Sequence, residues 1–123
     1  MDTFSFEELV AEAIDSIPQK YQEKMSHVAI LVDDVPSDTQ RKMLGLRPCD
    51  YLYGLYEGIP LTKRSGTIIS VPPDKITIFK HPMIELFPDV KNLRKQIKQT
   101  LWHEVGHFFG LNHDMIDAVQ KQS

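Results

Sequence analysis

Cysteine is nearly absent. Cys49 is the single one among 123 residues, so no intrachain disulfide can form and the fold must rest on its own core. Long apolar runs are missing too. The longest strongly apolar one, residues 28–32, falls far short of the ~20 residues that cross a bilayer. The N-terminus carries the early acids Asp2, Glu7 and Glu8 where a secretory signal would place basic residues followed by an apolar stretch. Nor is there an excess of positive charge. Fourteen Lys and Arg stand against 17 Asp and Glu, a net charge of -3, which excludes a global field drawing the chain to nucleic acid or anionic membrane. These deficits point to a soluble cytoplasmic protein with neither nucleic acid nor membrane as a partner. The oligomeric state leaves no mark in the sequence.

Internal repeats, low-complexity stretches and domain-separating linkers are likewise missing, so residues 1–123 read as one domain. Its composition, 41% hydrophobic and 25% charged, is that of a globular chain with room for one modest core.

The chain opens with a helix-start signature. Ser5 and Glu8 have capping-box spacing, and Phe4 with Leu9 fits a hydrophobic staple. Phe6, Leu9, Val10, Ala13, Ile14 and Ile17 recur at helical spacing until Pro18 interrupts them. A second short helical piece is expected over residues 19–25. Residues 27–32 read as a buried strand, and residues 36–48 as polar loop. Tyr51, Tyr53 and Tyr56 interleave with Leu52 and Leu55 in a second strand, with the tyrosines packing on one sheet face. Residues 67–71 form a third strand candidate, and residues 75–80 a fourth in which Ile76 and Ile78 alternate with polar neighbours. Asp89 is placed to cap a long last helix, whose Val90, Leu93, Ile97, Leu101, Val105 and Phe108 fall on one stripe. The order predicts an α+β fold, a small mixed sheet with an N-terminal helix and a long C-terminal helix packed on it.

Chemistry concentrates in that last helix, at His103-Glu104-Val105-Gly106-His107-Phe108-Phe109-Gly110-Leu111-Asn112-His113-Asp114. Histidines at i and i+4 lie one turn apart, so both imidazoles reach one metal ion. They occupy a different face from Val105 and Phe108, which leaves them free to look into a cleft. Glu104 is placed to reach the water such an ion activates, as a general base. A chance HExxH arises in on the order of a few chains per thousand of this length. Gly110, able to take a left-handed conformation and turn the chain back, and His113 three residues later lower that coincidence by roughly several hundred-fold. The ligand set favours Zn2+, held by His103, His107 and a third group. His113 is the first choice for that place; Asp114 is its rival and Asp117 a weaker one, because carboxylates also ligate zinc.

The remaining polar residues read more plainly. His27 and His81 fall at strand ends, and Lys91, Arg94, Lys95 and Lys98 spread over a solvated helix face. Cys49 has no neighbouring motif. Gly106 inside the helix costs about 1 kcal/mol relative to alanine, which close approach of a strand or substrate would explain. One of the three tyrosines has the chemistry of an oxyanion donor, and the sequence does not choose among them.

The segment matches the HExxHxxGxxH signature of metzincins, and the whole chain resembles the minimal zincin-like metallopeptidases, bacterial proteins of about this length. Phe6-Glu7-Glu8-Leu9-Val10, Leu55-Tyr56-Glu57-Gly58-Ile59-Pro60-Leu61, Arg64-Ser65-Gly66 and Pro73-Asp74-Lys75-Ile76 find counterparts there, as does the terminal helix. The resemblance implies a minimal zincin-like fold and a zinc-dependent peptidase acting on a peptide or protein substrate, with Glu104 as the catalytic base. It also implies that an extended substrate lies along an edge strand, with residues 67–71 or 76–79 as the candidate rim. Two departures stand out. That family more often has an acid where this chain has His113, and the methionine turn of larger metzincins has no counterpart, Met115 being too near in sequence. A non-catalytic zinc-stabilised binding module, or a latent peptidase with Asp114 or a nearby loop over the open zinc position until a partner or substrate displaces it, are the competing readings.

Overall fold

A computed structural model describes residues 5–47, 50–58 and 74–110. The first helix, α1 (Phe6–Asp15), starts where Ser5 accepts a hydrogen bond from the Glu8 N–H, satisfying a donor that the helix itself leaves open. It buries Phe6, Leu9, Val10 and Ala13, the face that the sequence marks at helical spacing. Pro18 then begins α2 (Gln19–Gln22), which tightens into a 3-10 turn over Glu23–Met25. Phe4, the other half of the expected staple, lies outside the described residues.

Three strands form the described sheet: β1 (Val28–Asp33), β2 (Gly54–Glu57) and β3 (Asp74–Phe79), in the order β1-β3-β2. β1 runs parallel to β3 and β2 antiparallel to it. The mixed sheet and its helices are the α+β arrangement that the sequence predicts. The candidate strand at residues 67–71 lies outside the described residues.

The central position of β3 corrects two expectations. Ile76 and Ile78 alternate with polar neighbours in the sequence, yet Thr77 between them is buried along with Ile76, Ile78 and Phe79. Because β1 and β2 pair with it on either side, residues 76–79 cannot be the open rim along which a substrate would pair. β1, the more continuously apolar strand, is the one whose residues alternate between half-buried and exposed.

Residues 38–44, expected as loop, form helix α3 (Asp38–Leu44). Ser37 and Gln40 close a capping box, each side chain bonded to the other's backbone N–H, and Gly45 ends the helix in a left-handed conformation. Its apolar residues make no buried stripe: Met43 is 77% exposed. Hydrophobic periodicity therefore could not reveal it, and the Ser-x-x-Gln spacing was the legible mark. After β3 the chain turns directly into α4 (Lys80–Leu86), with Pro82 in the first turn, where a missing N–H costs nothing. His81 thus sits on a helix and not at a strand end.

The last helix, α5 (Val90–Phe108), begins where Asp89 accepts from the Asn92 N–H. Leu93, Ile97, Leu101, Val105 and Phe108 are buried, and the helix packs on α1, β2 and β3. Arg94 reaches Glu12 of α1 at 3.1 Å, a partly exposed pair of small energetic weight. Among the described residues no helix is long and apolar enough to cross a membrane.

Contact between α5 and β2 is unusually close at Gly54. A Cβ there would stand 2.7 Å from the Thr100 Cγ2 and 3.3 Å from the Glu104 Cγ. Glycine at this strand position is what lets the helix settle onto the sheet. Gly54→Ala is therefore expected to lose roughly 1–3 kcal/mol of stability by overpacking. Thr100→Ser removes the opposing methyl, so the double variant should recover much of that loss in urea denaturation; simple additivity of the two changes would refute the steric account.

Candidate metal centre

The i, i+4 spacing in α5 brings His103 and His107 to a ring-centroid separation of 5.0 Å, their planes inclined at 77°. Both are half-buried, while Val105 and Phe108 of the same turns are buried in the core. Separation of a core face from a histidine face, inferred from angular spacing, is thus present. One ligand atom each from His103, Glu104 and His107 lies within 4.8 Å of the others. Two imidazoles and a carboxylate are a donor set suited to zinc.

Glu104 is the least expected member. It is only 8% exposed, held under α5 against the start of β2. Burial pushes its pKa up to about 7, although a hydrogen bond from the Tyr56 backbone pulls the other way. A buried carboxylate beside two imidazoles gains from a nearby cation, which offsets the cost of keeping it charged. The residues present therefore fit a bound metal ion.

The chain turns at Gly110, whose φ of 77° is left-handed as anticipated. His113, the first-choice third ligand, and its alternatives Asp114 and Asp117 lie outside the described residues, as do Cys49 and Met115. His27 is exposed at the start of β1, and His81 is exposed on α4, 3.4 Å from Glu85. Neither belongs to the cluster.

The tyrosines do not share one sheet face, because only Tyr56 lies within β2. Its hydroxyl donates to the buried Asp74 carboxylate at 2.9 Å and its ring meets Phe108 edge-on. Tyr53 stacks edge-on against Phe87, and Tyr51 is 54% exposed. Tyr51 and Tyr53 instead line a cleft of about 290 Å³ with Leu52, Gly54, Gln96, Gln99, Thr100, His103 and Glu104. Sequence reasoning missed Gly54 and Thr100 as parts of this wall. The one available signal was a lone glycine inside a strand-like run, which marks a close backbone approach.

Burial of Glu104 makes stability depend on pH in the metal-free protein. Between the ordinary value of 4.5 and about 7, the folded state holds a proton that the unfolded state has released, so stability falls as pH rises through this window. Above it, the ionised carboxylate costs on the order of 2–3 kcal/mol. Metal-free Glu104→Gln is expected to exceed the unaltered protein in stability by about that amount at pH 8. By pH 5 the difference should shrink to under about 1 kcal/mol. Urea denaturation at the two pH values measures it, and a pH-independent difference would contradict the burial argument.

A family profile described as zincin-like metallopeptidase matches residues 25–122. Among solved structures, a conserved hypothetical protein from Thermo thermophilus is similar at a TM-score of 0.53 and 14% identity, over 96% of each chain. At that identity the likeness speaks for the fold alone. Nothing among the curated proteins matches the chain. With the profile covering most of its length, including the helix that carries His103, Glu104 and His107, the chain belongs to the zincin-like metallopeptidase family.

Proposed function

We propose that the protein is a zinc-dependent peptidase in which His103, His107 and His113 hold the ion and Glu104 is the general base. The observation that carries this reading is the placement of Glu104: a buried carboxylate of raised proton affinity, beside two convergent imidazoles and at the end of an open cleft. When bound, zinc supplies a Lewis acid and lowers the pKa of water toward ~7. Glu104 takes a proton from the attacking water as its oxygen bonds to the peptide carbonyl carbon, and returns that proton to the amine nitrogen as the C–N bond breaks. A base with a pKa of about 7 is suited to both transfers near neutral pH. The Tyr56 backbone holds the carboxylate in place, and the core face of α5 fixes both histidines.

One observation favours a second reading. The Glu104 oxygen is near enough to both imidazoles to be a ligand itself, which would make the site a structural one in a zinc-stabilised module without hydrolysis.

The two readings separate on one variant. For the peptidase, Glu104→Gln retains zinc and loses peptide hydrolysis by on the order of 10²–10⁴-fold, and chelation stops cleavage while the fold survives. For the structural site, Glu104→Gln weakens zinc binding and chelation unfolds the chain. Elemental analysis, circular dichroism and a peptide-cleavage assay on the same samples decide between them.

A further inference from the structure

The cleft beside the histidines has a wall whose chemistry is selective. Gln96 and Gln99 project from α5 two turns and one turn before His103, and Tyr51, Leu52 and Tyr53 line the cleft with them from the approach to β2. The Gln96 Nε2 donates to the Thr100 Oγ1 at 2.9 Å, which fixes the carboxamide. Among the described residues its carbonyl oxygen has no donor, so it is left to accept one. Thr100 is itself buried, its methyl pressed toward the Gly54 backbone. Two carboxamides, two phenols and a leucine therefore line the space with Thr100 and His103, and Glu104 is the one acid among its described lining residues. No lysine, arginine or second carboxylate faces it among the described residues.

We infer that this cleft receives the substrate side chain beside the scissile bond and admits uncharged side chains, both carboxamide and apolar, over charged ones, with Gln96 and Gln99 as the specificity-determining residues. The inference rests on the peptidase reading for the word substrate, but the selectivity follows from the wall alone. An acidic side chain entering here meets Glu104 and finds no lysine or arginine among the described lining residues, so its desolvation goes largely uncompensated. A basic one must shed its water against amides, phenols and a leucine, with Glu104 too buried to meet it openly and the zinc of the proposed site repelling it. An amide side chain finds an acceptor in Gln96 and aromatic faces in Tyr51 and Tyr53, and an apolar one finds Leu52 and the same rings. Gln99 is exposed on the rim of the cleft, so its charge is adjustable without disturbing the core.

The test uses octapeptides identical except at one position, which carries Gln, Leu, Tyr, Lys or Glu. Their binding to the zinc-loaded protein and to its Gln99→Lys and Gln99→Glu variants is read by fluorescence anisotropy. Side-chain amide resonances of Gln96 and Gln99 report where they bind. Cleavage of the same peptides by the unaltered protein is followed separately. Gln, Leu and Tyr peptides should bind at least ten-fold more tightly than Lys and Glu peptides, with the two amide resonances shifted. Gln99→Lys should raise affinity for the Glu peptide several-fold, and Gln99→Glu should do so for the Lys peptide. Equal binding of charged and uncharged peptides, a ranking indifferent to the charge at position 99, or no binding at all would each overturn the inference. Selective binding without any cleavage would leave the cleft assignment standing and remove the peptidase reading, whereas cleavage without selectivity would do the reverse.

Discussion

The site depends on how closely one helix approaches one strand. Where α5 crosses the start of β2, Gly54 has no side chain, and the Thr100 methyl and Glu104 methylene occupy the space a Cβ would need. That approach takes the Glu104 carboxylate out of water and sets it against the Tyr56 backbone. It raises the proton affinity of the group toward neutrality without any neighbouring acid. A looser contact would leave an ordinary surface glutamate with a pKa near 4.5, too weak a base at neutral pH. Steric fit between backbone and helix is thus converted into a raised proton affinity at Glu104, through desolvation.

Because the same helix carries the core and the candidate ligands, the two are mechanically one. Leu93, Ile97, Leu101, Val105 and Phe108 are all 2% exposed or less, and truncating any one of the aliphatic members to alanine costs roughly 2–5 kcal/mol. That stripe fixes the rotation of α5 about its axis, and the rotation decides where His103 and His107 point. A turn of the helix by one residue would move each side chain by ~100° and carry the histidines away from the cleft. Asp89 at one end and Gly110 at the other set the boundaries within which this phase is kept. The ligand geometry is thus a by-product of core packing, which suits a chain with little material for a separate scaffold.

What the sequence made legible follows the same division. The α1 and α5 helices were readable because each buries a stripe at helical spacing and carries its own cap, and the HExxH pair was readable because i, i+4 on a helix is the spacing that two side chains sharing a metal ion would need. Helix α3 was not, since it lies on the surface with Met43 exposed and Gln40 as its buried residue, bonded to Glu57. Its identity is in capping chemistry, not in hydrophobic pattern. The order of strands was illegible for a different reason. Ile76 and Ile78 alternate with polar residues in a way that suits a half-wet strand, yet Thr77 is buried by its place between β1 and β2, a non-local fact. Glu104 could be named as a base from its position beside His103, but its burial arises from Gly54, far earlier in the chain.

The same non-locality bears on selectivity. A helix that turns His103 and His107 to one face necessarily presents positions 96, 99 and 100 on the adjoining surface, since residues three and four apart stack on one side. Those positions are filled here by Gln96, Gln99 and Thr100, side chains that hydrogen-bond without carrying charge. The opposing wall comes from Tyr51 to Gly54, the stretch that must approach α5 for Glu104 to be buried at all. The contact that raises the proton affinity of Glu104 is therefore the contact that shapes the cleft. A change at Gly54 or Thr100 acts on both at once, while a change at the exposed Gln99 acts on the cleft alone, so proton affinity and side-chain preference are separable at that rim and inseparable at its floor.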